Sequence, residues 1–360
     1  IYERAISNAS LRRFMNYYFE RATRRRRTLI EYYGEIEDWD VQGVTDLSRS
    51  IGGLGVIPVH ALHDFNKNLN KWDVGAVTNM TGMFQDCARF NQPLNKWDVS
   101  QVTQFSRMFI GCERFNHPLD KWDVRKGHSF TKMFSSCNRF NKPLHTWNIG
   151  EKHTAFDIDM GSMFAGCVKF NQSLNNWNTS KVFSIDGMFN HCVEFDQPLN
   201  KWDVSKCKSL EEVFSHCYEF NQPLNSWDVK QVTKFLGLFE HCKKFNQPLH
   251  YWDLSNAEQL SSMFIGCINF EMEQWRVDIA IAGSQKGFMM PTGLVVVAMS
   301  DRVIDQLNRK ATYYDFADML ASNEQGYYPY TPAMTLMRGL RTATDMLLEE
   351  GIENVWHRHH

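Results

Sequence analysis

The sequence predicts an α+β repeat solenoid built of 25-residue coils, each a short strand plus a helical turn, with an N-terminal helix and a C-terminal α/β fragment. Two observations carry that prediction, and a third sets its limits. Trp72, Trp97, Trp122 and Trp147 stand twenty-five residues apart, and Trp177, Trp202, Trp227 and Trp252 resume the series after one five-residue insertion. Two phenylalanine series keep step: Phe84, Phe109, Phe134, Phe164, Phe189, Phe214, Phe239 and Phe264, and Phe90, Phe115, Phe140, Phe170, Phe195, Phe220, Phe245 and Phe270. A period of 20–50 residues marks units that bury large side chains only by stacking on one another. After Phe270 the period fails, and the next tryptophan, Trp275, comes too early. The organisation is therefore a basic helix and cap over 1–32, about nine coils over 33–270, and an α/β fragment over 271–360.

Composition narrows the function classes. The 360 residues are 43% hydrophobic with 11 Trp and 26 Phe, which excludes a disordered chain. A net charge of -2 excludes a globally polycationic nucleic-acid binder. The most apolar stretch, Met289 to Met299, is too short to cross a bilayer. No signal-peptide pattern is present, but the chain starts at Ile1, so localisation stays open. An intracellular, virion- or assembly-associated setting with reduced cysteines is favoured over secretion.

The N-terminal stretch from Leu11 to Tyr33 reads as one amphipathic helix, with Leu11, Phe14, Met15, Tyr18 and Phe19 on one side. Arg24, Arg25, Arg26 and Arg27 form its basic cluster. A solvated face over the first coil is the plain reading; contact with phosphate, with anionic lipid or with an import receptor is the functional one.

One coil is FNQPLNKWDVSQVTQFSRMFIGC, from Phe90 to Cys112. Val102, Phe105, Phe109 and Cys112 recur at three- and four-residue steps, which predicts a helical turn, and Ser100 is placed to cap it. Leu119, Trp122 and Val124 predict a short extended segment. A weaker first coil starts at Trp39. The insertion, within 151–159, enters without removing a rung and is expected to bulge outward as a loop.

The polar columns have packing explanations. Asn91, Asn116, Asn141, Asn171, Asn221 and Asn246, with Asp196 in the same column, suit side chains that bond backbone and one another across coils. Asp98, Asp123, Asp203, Asp228 and Asp253 follow their tryptophans and are placed to hold the next turn. A calcium ladder is the sharper reading, but each coil offers one carboxylate and calcium takes six or more oxygens. Cys87, Cys112, Cys137, Cys167, Cys192, Cys217, Cys242 and Cys267 form a further column. Zinc needs four convergent ligands, which single cysteines without ordered histidines do not supply, so no metal site is expected. Free buried thiols are favoured over disulfides, and Cys207, off that column, is expected to be the accessible one. Surface positions differ from coil to coil (Lys96, Lys121, Thr146, Asn176, Lys201, Ser226 and Tyr251), as in a scaffold that binds protein partners or self-assembles.

The Phe90–Cys112 unit resembles the BspA-type, mycoplasma-lipoprotein repeat family, whose repeats have leucine-rich-repeat character. The resemblance covers about 33–270. It implies a solenoid used for binding or architecture, with no catalytic residue and no particular partner.

The C-terminal fragment reads as strands at Val277 to Ala282 and Leu294 to Met299, then helices at Asp301 to Lys310 and Ala333 to Glu350. Its sequences MEQWRVDIAIAGSQKGFMMPTGLVVVAMSDR and YYPYTPAMTLMRGLRTATDMLLEEGIENVW resemble class V aminotransferases of the serine–glyoxylate and alanine–glyoxylate type, over about 272–359. The resemblance implies that Lys286 carries pyridoxal phosphate as a Schiff base, that Gln285 contacts it, and that Tyr328 and Thr331 reach the phosphate of a neighbouring subunit's cofactor. Such chemistry also needs a carboxylate on the pyridine nitrogen. In the family it lies some two dozen residues before the lysine, where this chain still carries repeat sequence. The ring-stacking residue, the phosphate loop and the small domain are not found either. The leading expectation is a non-enzymatic scaffold with no cofactor; a transaminase using Lys286 is the alternative.

Overall fold

The computed structural model describes residues 5–20, 23–52, 59–150, 157–269, 279–283 and 295–299. The chain divides into two compact units, Ile1–Phe270 and Glu271–His360.

The first unit opens with two helices where the sequence suggests one. Helix α1 (Asn8–Phe19) starts on a reciprocal cap: Ser10 donates its N–H to Ser7 Oγ, and Ser7 donates its N–H to Ser10 Oγ. Its backbone turns extended at Glu20. Helix α2 (Arg24–Tyr33) restarts at Thr23, whose hydroxyl accepts the Arg26 N–H, and it stops at Gly34, which has φ 79°. A second cap so close behind the first breaks the predicted continuous helix. The break serves burial. Leu11, Phe14, Met15 and Tyr18 of α1 and Leu29 of α2 are buried, and Phe14 and Tyr18 pack edge-on against Trp39 of the first repeat. Asn8 Oδ1 accepts the N–H groups of Thr45 and Asp46, tying α1 to that repeat. Short helical turns follow at Ile36–Asp38 and α3 (Val59–His63).

Among the described residues from 64 to 269 there is no α-helix. The predicted helical run is a series of tight turns instead. Met108, Ile110 and Cys112 donate to the carbonyls three residues back, at Phe105, Arg107 and Phe109. The alternate donors, Phe105, Arg107, Phe109 and Gly111, bond the next repeat at Ser129, Thr131, Met133 and Ser135, at 2.8–2.9 Å. Two left-handed residues per repeat turn the N–H groups that way. One column, from Gly82 and Arg107 to Ser262, has φ 54–61°; the other, from Asp86 and Gly111 to Gly266, has φ 58–76°. An α-helix has no room for either. Ser100 is accordingly no helix cap; its N–H donates to Asp98 Oδ1.

Strand pairing falls inside this run, not at Leu119–Val124, where Trp122 closes a turn onto the Leu119 carbonyl. Single parallel bridges link Asp46, Asn79, Gln104, Ser129 and Asp159, and then Ser209, Lys234 and Gln259. Between them, β1 (Ile158–Asp159) pairs in parallel with β2 (Val182–Ser184). Ile158 and Asp159 thus belong to the ladder, which moves the end of the insertion back from 159; residues 151–156 lie outside the described residues. The columns pass this point unbroken, with Trp147 and Trp177 at 6.2 Å and Phe140 and Phe170 at 6.0 Å.

The core is the set of stacked columns. Tryptophan rings lie 6.2–6.5 Å apart and within 6° of parallel. Trp97, Trp122, Trp147, Trp177, Trp202, Trp227 and Trp252 each donate Nε1–H to the leucine carbonyl of the preceding repeat at 2.9–3.0 Å. Each indole so buries its ring and satisfies its one donor. In the second unit, β3 (Ile279–Gly283) runs antiparallel to β4 (Val295–Met299), with Ile279 opposite Met299 and Gly283 opposite Val295. The helices expected at 301–310 and 333–350 lie outside the described residues.

Candidate functional site

The polar columns are occupied by structure. Each N–H in the asparagine column donates to the side-chain oxygen one repeat earlier, from Asn91 on Asn66 to Asn246 on Asn221, at 2.9–3.1 Å. Only an acceptor is required, so Asp196 serves as well as asparagine. Gln92, Gln172, Gln197, Gln222 and Gln247 donate to the same oxygens. Asp98, Asp123, Asp203, Asp228 and Asp253 each accept the N–H two residues on, at 2.9–3.2 Å. Those bonds help hold Asp123 and Asp253 below the usual carboxylate range, led by Arg125 and Ser255 respectively.

The cysteines are equally committed. All nine are free and buried. Thiols from Cys112 to Cys267 donate to the phenylalanine carbonyl of the preceding repeat at 2.9–3.1 Å. Burial raises every one of their pKa values, which suppresses the reactive thiolate. Cys207 is not the accessible thiol that the sequence suggests. It is fully buried, donates to the Val182 carbonyl, and has its pKa pushed up to about 12 by burial. It stands twenty-five residues from both Val182 and Val232, in an apolar column of its own. Among the described residues no three His, Cys, Asp or Glu side chains are grouped to hold a metal ion.

What remains on the surface differs from repeat to repeat. Lys96, Lys121, Thr146, Asn176, Lys201, Ser226 and Tyr251 are all exposed. A second exposed feature is the α1–α2 hairpin. Phe14, Tyr17, Arg24, Arg25, Thr28, Leu29, Tyr32 and Tyr33 line a groove there. Arg25 lies over the Tyr17 ring and Arg26 over the Tyr18 ring, while Arg25 also faces Glu20 at 3.7 Å. Tyr18 donates to Glu35 Oε2 at 2.7 Å, and burial together with that carboxylate raises its pKa. Sequence reasoning singled out the arginines but not the tyrosines beside them, because the break between α1 and α2 is what puts Tyr17 in one groove with Tyr32 and Tyr33. It also passed over His191, His216 and His241: the first two rings stack at 4.1 Å, and the third is tilted against the second at 4.6 Å. Their spacing of twenty-five was the available signal. Lys286, Gln285, Tyr328 and Thr331 lie outside the described residues.

Comparison with known proteins gives two kinds of match. The family described as "Mycoplasma protein of unknown function, DUF285" matches residues 56–157 and 158–277. The other matches each cover about a quarter of the chain. A serine–glyoxylate aminotransferase of Hyphomicrobium methylovorum is 46% identical over 99 residues, 26% of this chain and 24% of that protein. A serine–glyoxylate aminotransferase of Arabidopsis thaliana is 40% identical over 96 residues, 26% of this chain and 24% of that protein. An alanine–glyoxylate aminotransferase of Drosophila melanogaster is 32% identical over 99 residues, 25% of each chain. The chain thus spans about a quarter of the length of the curated relatives it matches.

Proposed function

The chain belongs to the DUF285 family of Mycoplasma proteins of unknown function, and from that premise we propose that its repeat region is a non-enzymatic solenoid scaffold that binds another protein. One observation carries this reading. The asparagine, cysteine and tryptophan columns are committed to bonds between repeats and the aspartate column to its own turns, while the exposed positions at Lys96 and its equivalents differ in chemistry from repeat to repeat. Repeat proteins place their recognition on such variable faces. Lysine cross-linking of the native full chain should place a protein partner on the face carrying Lys96, Lys121 and Lys201. Cross-links confined within single chains under native conditions would sink the reading.

The named relatives favour a second reading, a pyridoxal-phosphate transaminase of the serine–glyoxylate or alanine–glyoxylate kind using Lys286. The cofactor would supply an electron sink, Lys286 and Gln285 would hold it, and Tyr328 and Thr331 would reach a neighbouring phosphate. The carboxylate such a site needs on the pyridine nitrogen has no candidate in the preceding repeat. Asp253, the nearest in number, accepts the Ser255 N–H within its turn. A visible absorption band on adding pyridoxal phosphate, lost in Lys286→Ala, would establish this second reading; no band would remove it.

A further inference from the structure

We propose that the α1–α2 hairpin and the repeats next to it bind single-stranded nucleic acid, with phosphates on an arginine ridge and bases on the hairpin's tyrosines. This inference is independent of the protein-scaffold reading. It starts from a charge imbalance. The chain carries -2 overall, yet Ile1 to Tyr33 holds eight arginines against three glutamates.

Four of those arginines occupy the first turn of α2, which contains no acidic residue. Cations at the positive end of a helix dipole cost stability, and like charges a turn apart repel. Arg24 and Arg27 have no acidic partner among the described residues. A cluster that works against its own helix, with only Arg25 near a carboxylate, points to use rather than support.

Cations recur on the repeats as well. Arg26 lines a second groove, of mixed charge, with Tyr18, Glu20, Asp64, Phe65 and Lys67, and Lys67 faces Glu35 and Glu37. Asp64 begins a column that runs through Arg89, Arg114, Arg139 and Lys169. Backbone bonds fix the arginines on successive rungs: Arg89 on His63, Arg114 on Ala88 and Arg139 on Glu113, at 3.0–3.3 Å. The phenylalanines that follow them stack 5.9–6.0 Å apart, which sets the pitch of the ridge. Arg89 meets Asp64 and Lys169 meets Glu194, but Arg114 and Arg139 are exposed with no acidic partner among the described residues. A row of cations at regular pitch fits a linear polyanion.

The tyrosines choose among polyanions. Tyr17, Tyr32 and Tyr33 share a groove with Arg24 and Arg25, and Tyr32 is 44% exposed. Aromatic rings beside a positive track are how single strands are held, because every base offers a face to stack. A membrane fits less well. The apolar side chains of α1 are spent on its own packing, which leaves no aliphatic face to enter lipid.

Fluorescence anisotropy of the full chain with a labelled oligothymidylate of about 20 nucleotides tests this. Binding should weaken steeply with salt, by about 0.7 in logarithmic slope for each phosphate neutralised. Arg24→Ala with Arg25→Ala, and separately Arg114→Ala with Arg139→Ala, should each weaken binding about tenfold and flatten the slope by about 1.4. Tyr32→Ala should weaken it about tenfold with the slope unchanged. Thermal melting should not fall in these exposed variants, and Arg24→Lys with Arg25→Lys should keep most of the affinity. Absence of binding, or equal binding by the alanine variants, would overturn the proposal. So would full affinity in Tyr32→Ala, or binding to phosphatidylserine vesicles with none to the oligonucleotide.

Discussion

The middle of the repeat stack and its last repeat carry the same kinds of residue in very different surroundings. Leu210 is fully buried, and Leu260, two repeats later in the same column, is 46% exposed. Leu254, Ile265 and Ile268 are exposed alongside it. Interior repeats are covered on both sides, and the donors of Leu210, Glu212 and Phe214 all find carbonyls one repeat on. The difference teaches that a repeat's burial is supplied by its neighbours more than by its own sequence.

The largest effect that tests this contrast is on the tryptophan column. Trp177→Ala should cost about 3–5 kcal/mol in denaturant unfolding, and Trp252→Ala clearly less, since Trp252 is covered less completely. Equal costs at the two positions would break the comparison. Next comes the leucine pair: Leu210→Ala should cost about 2–5 kcal/mol, whereas Leu260→Ala should stay within about 1 kcal/mol.

A smaller effect sharpens the account of the asparagine column. Asn171→Ala strands the Asp196 N–H and the Gln197 amide, and should cost about 1–3 kcal/mol. Asp196→Asn keeps the acceptor and should leave the melting temperature nearly unchanged. Cys207 gives the smallest signal, one of pH. Its folded pKa of about 12 lies above the ordinary thiol value, so its contribution is complete below about pH 9 and falls as pH rises toward 12. Cys207→Ala should flatten that part of the stability–pH profile; an unchanged profile would contradict the burial.

Much of this was legible in the primary structure. The indoles at Trp147 and Trp202 are buried as their spacing requires, and the aspartates hold the turns that their positions suggest. Cys207 could have been read correctly, since Val182 and Val232 flank it at the repeat period. The hairpin was harder. Only the extended backbone at Glu20 and Thr23 divides what reads as one helical face, and the groove follows from that division.

By itself the sequence determined the length of the repeat, which side chains face inward, and where the pattern ends at Phe270. Periodic recurrence of large apolar residues leaves few other ways to bury them. Only the tertiary structure decided how the backbone runs between those residues. Steps of three and four are shared by a helix and by consecutive tight turns, so side-chain spacing could not separate them. What separates them is the destination of alternate N–H groups, such as those of Phe105 and Phe109, which bond the next repeat rather than their own. That choice depends on a neighbour's carbonyls, and no local stretch of sequence contains them.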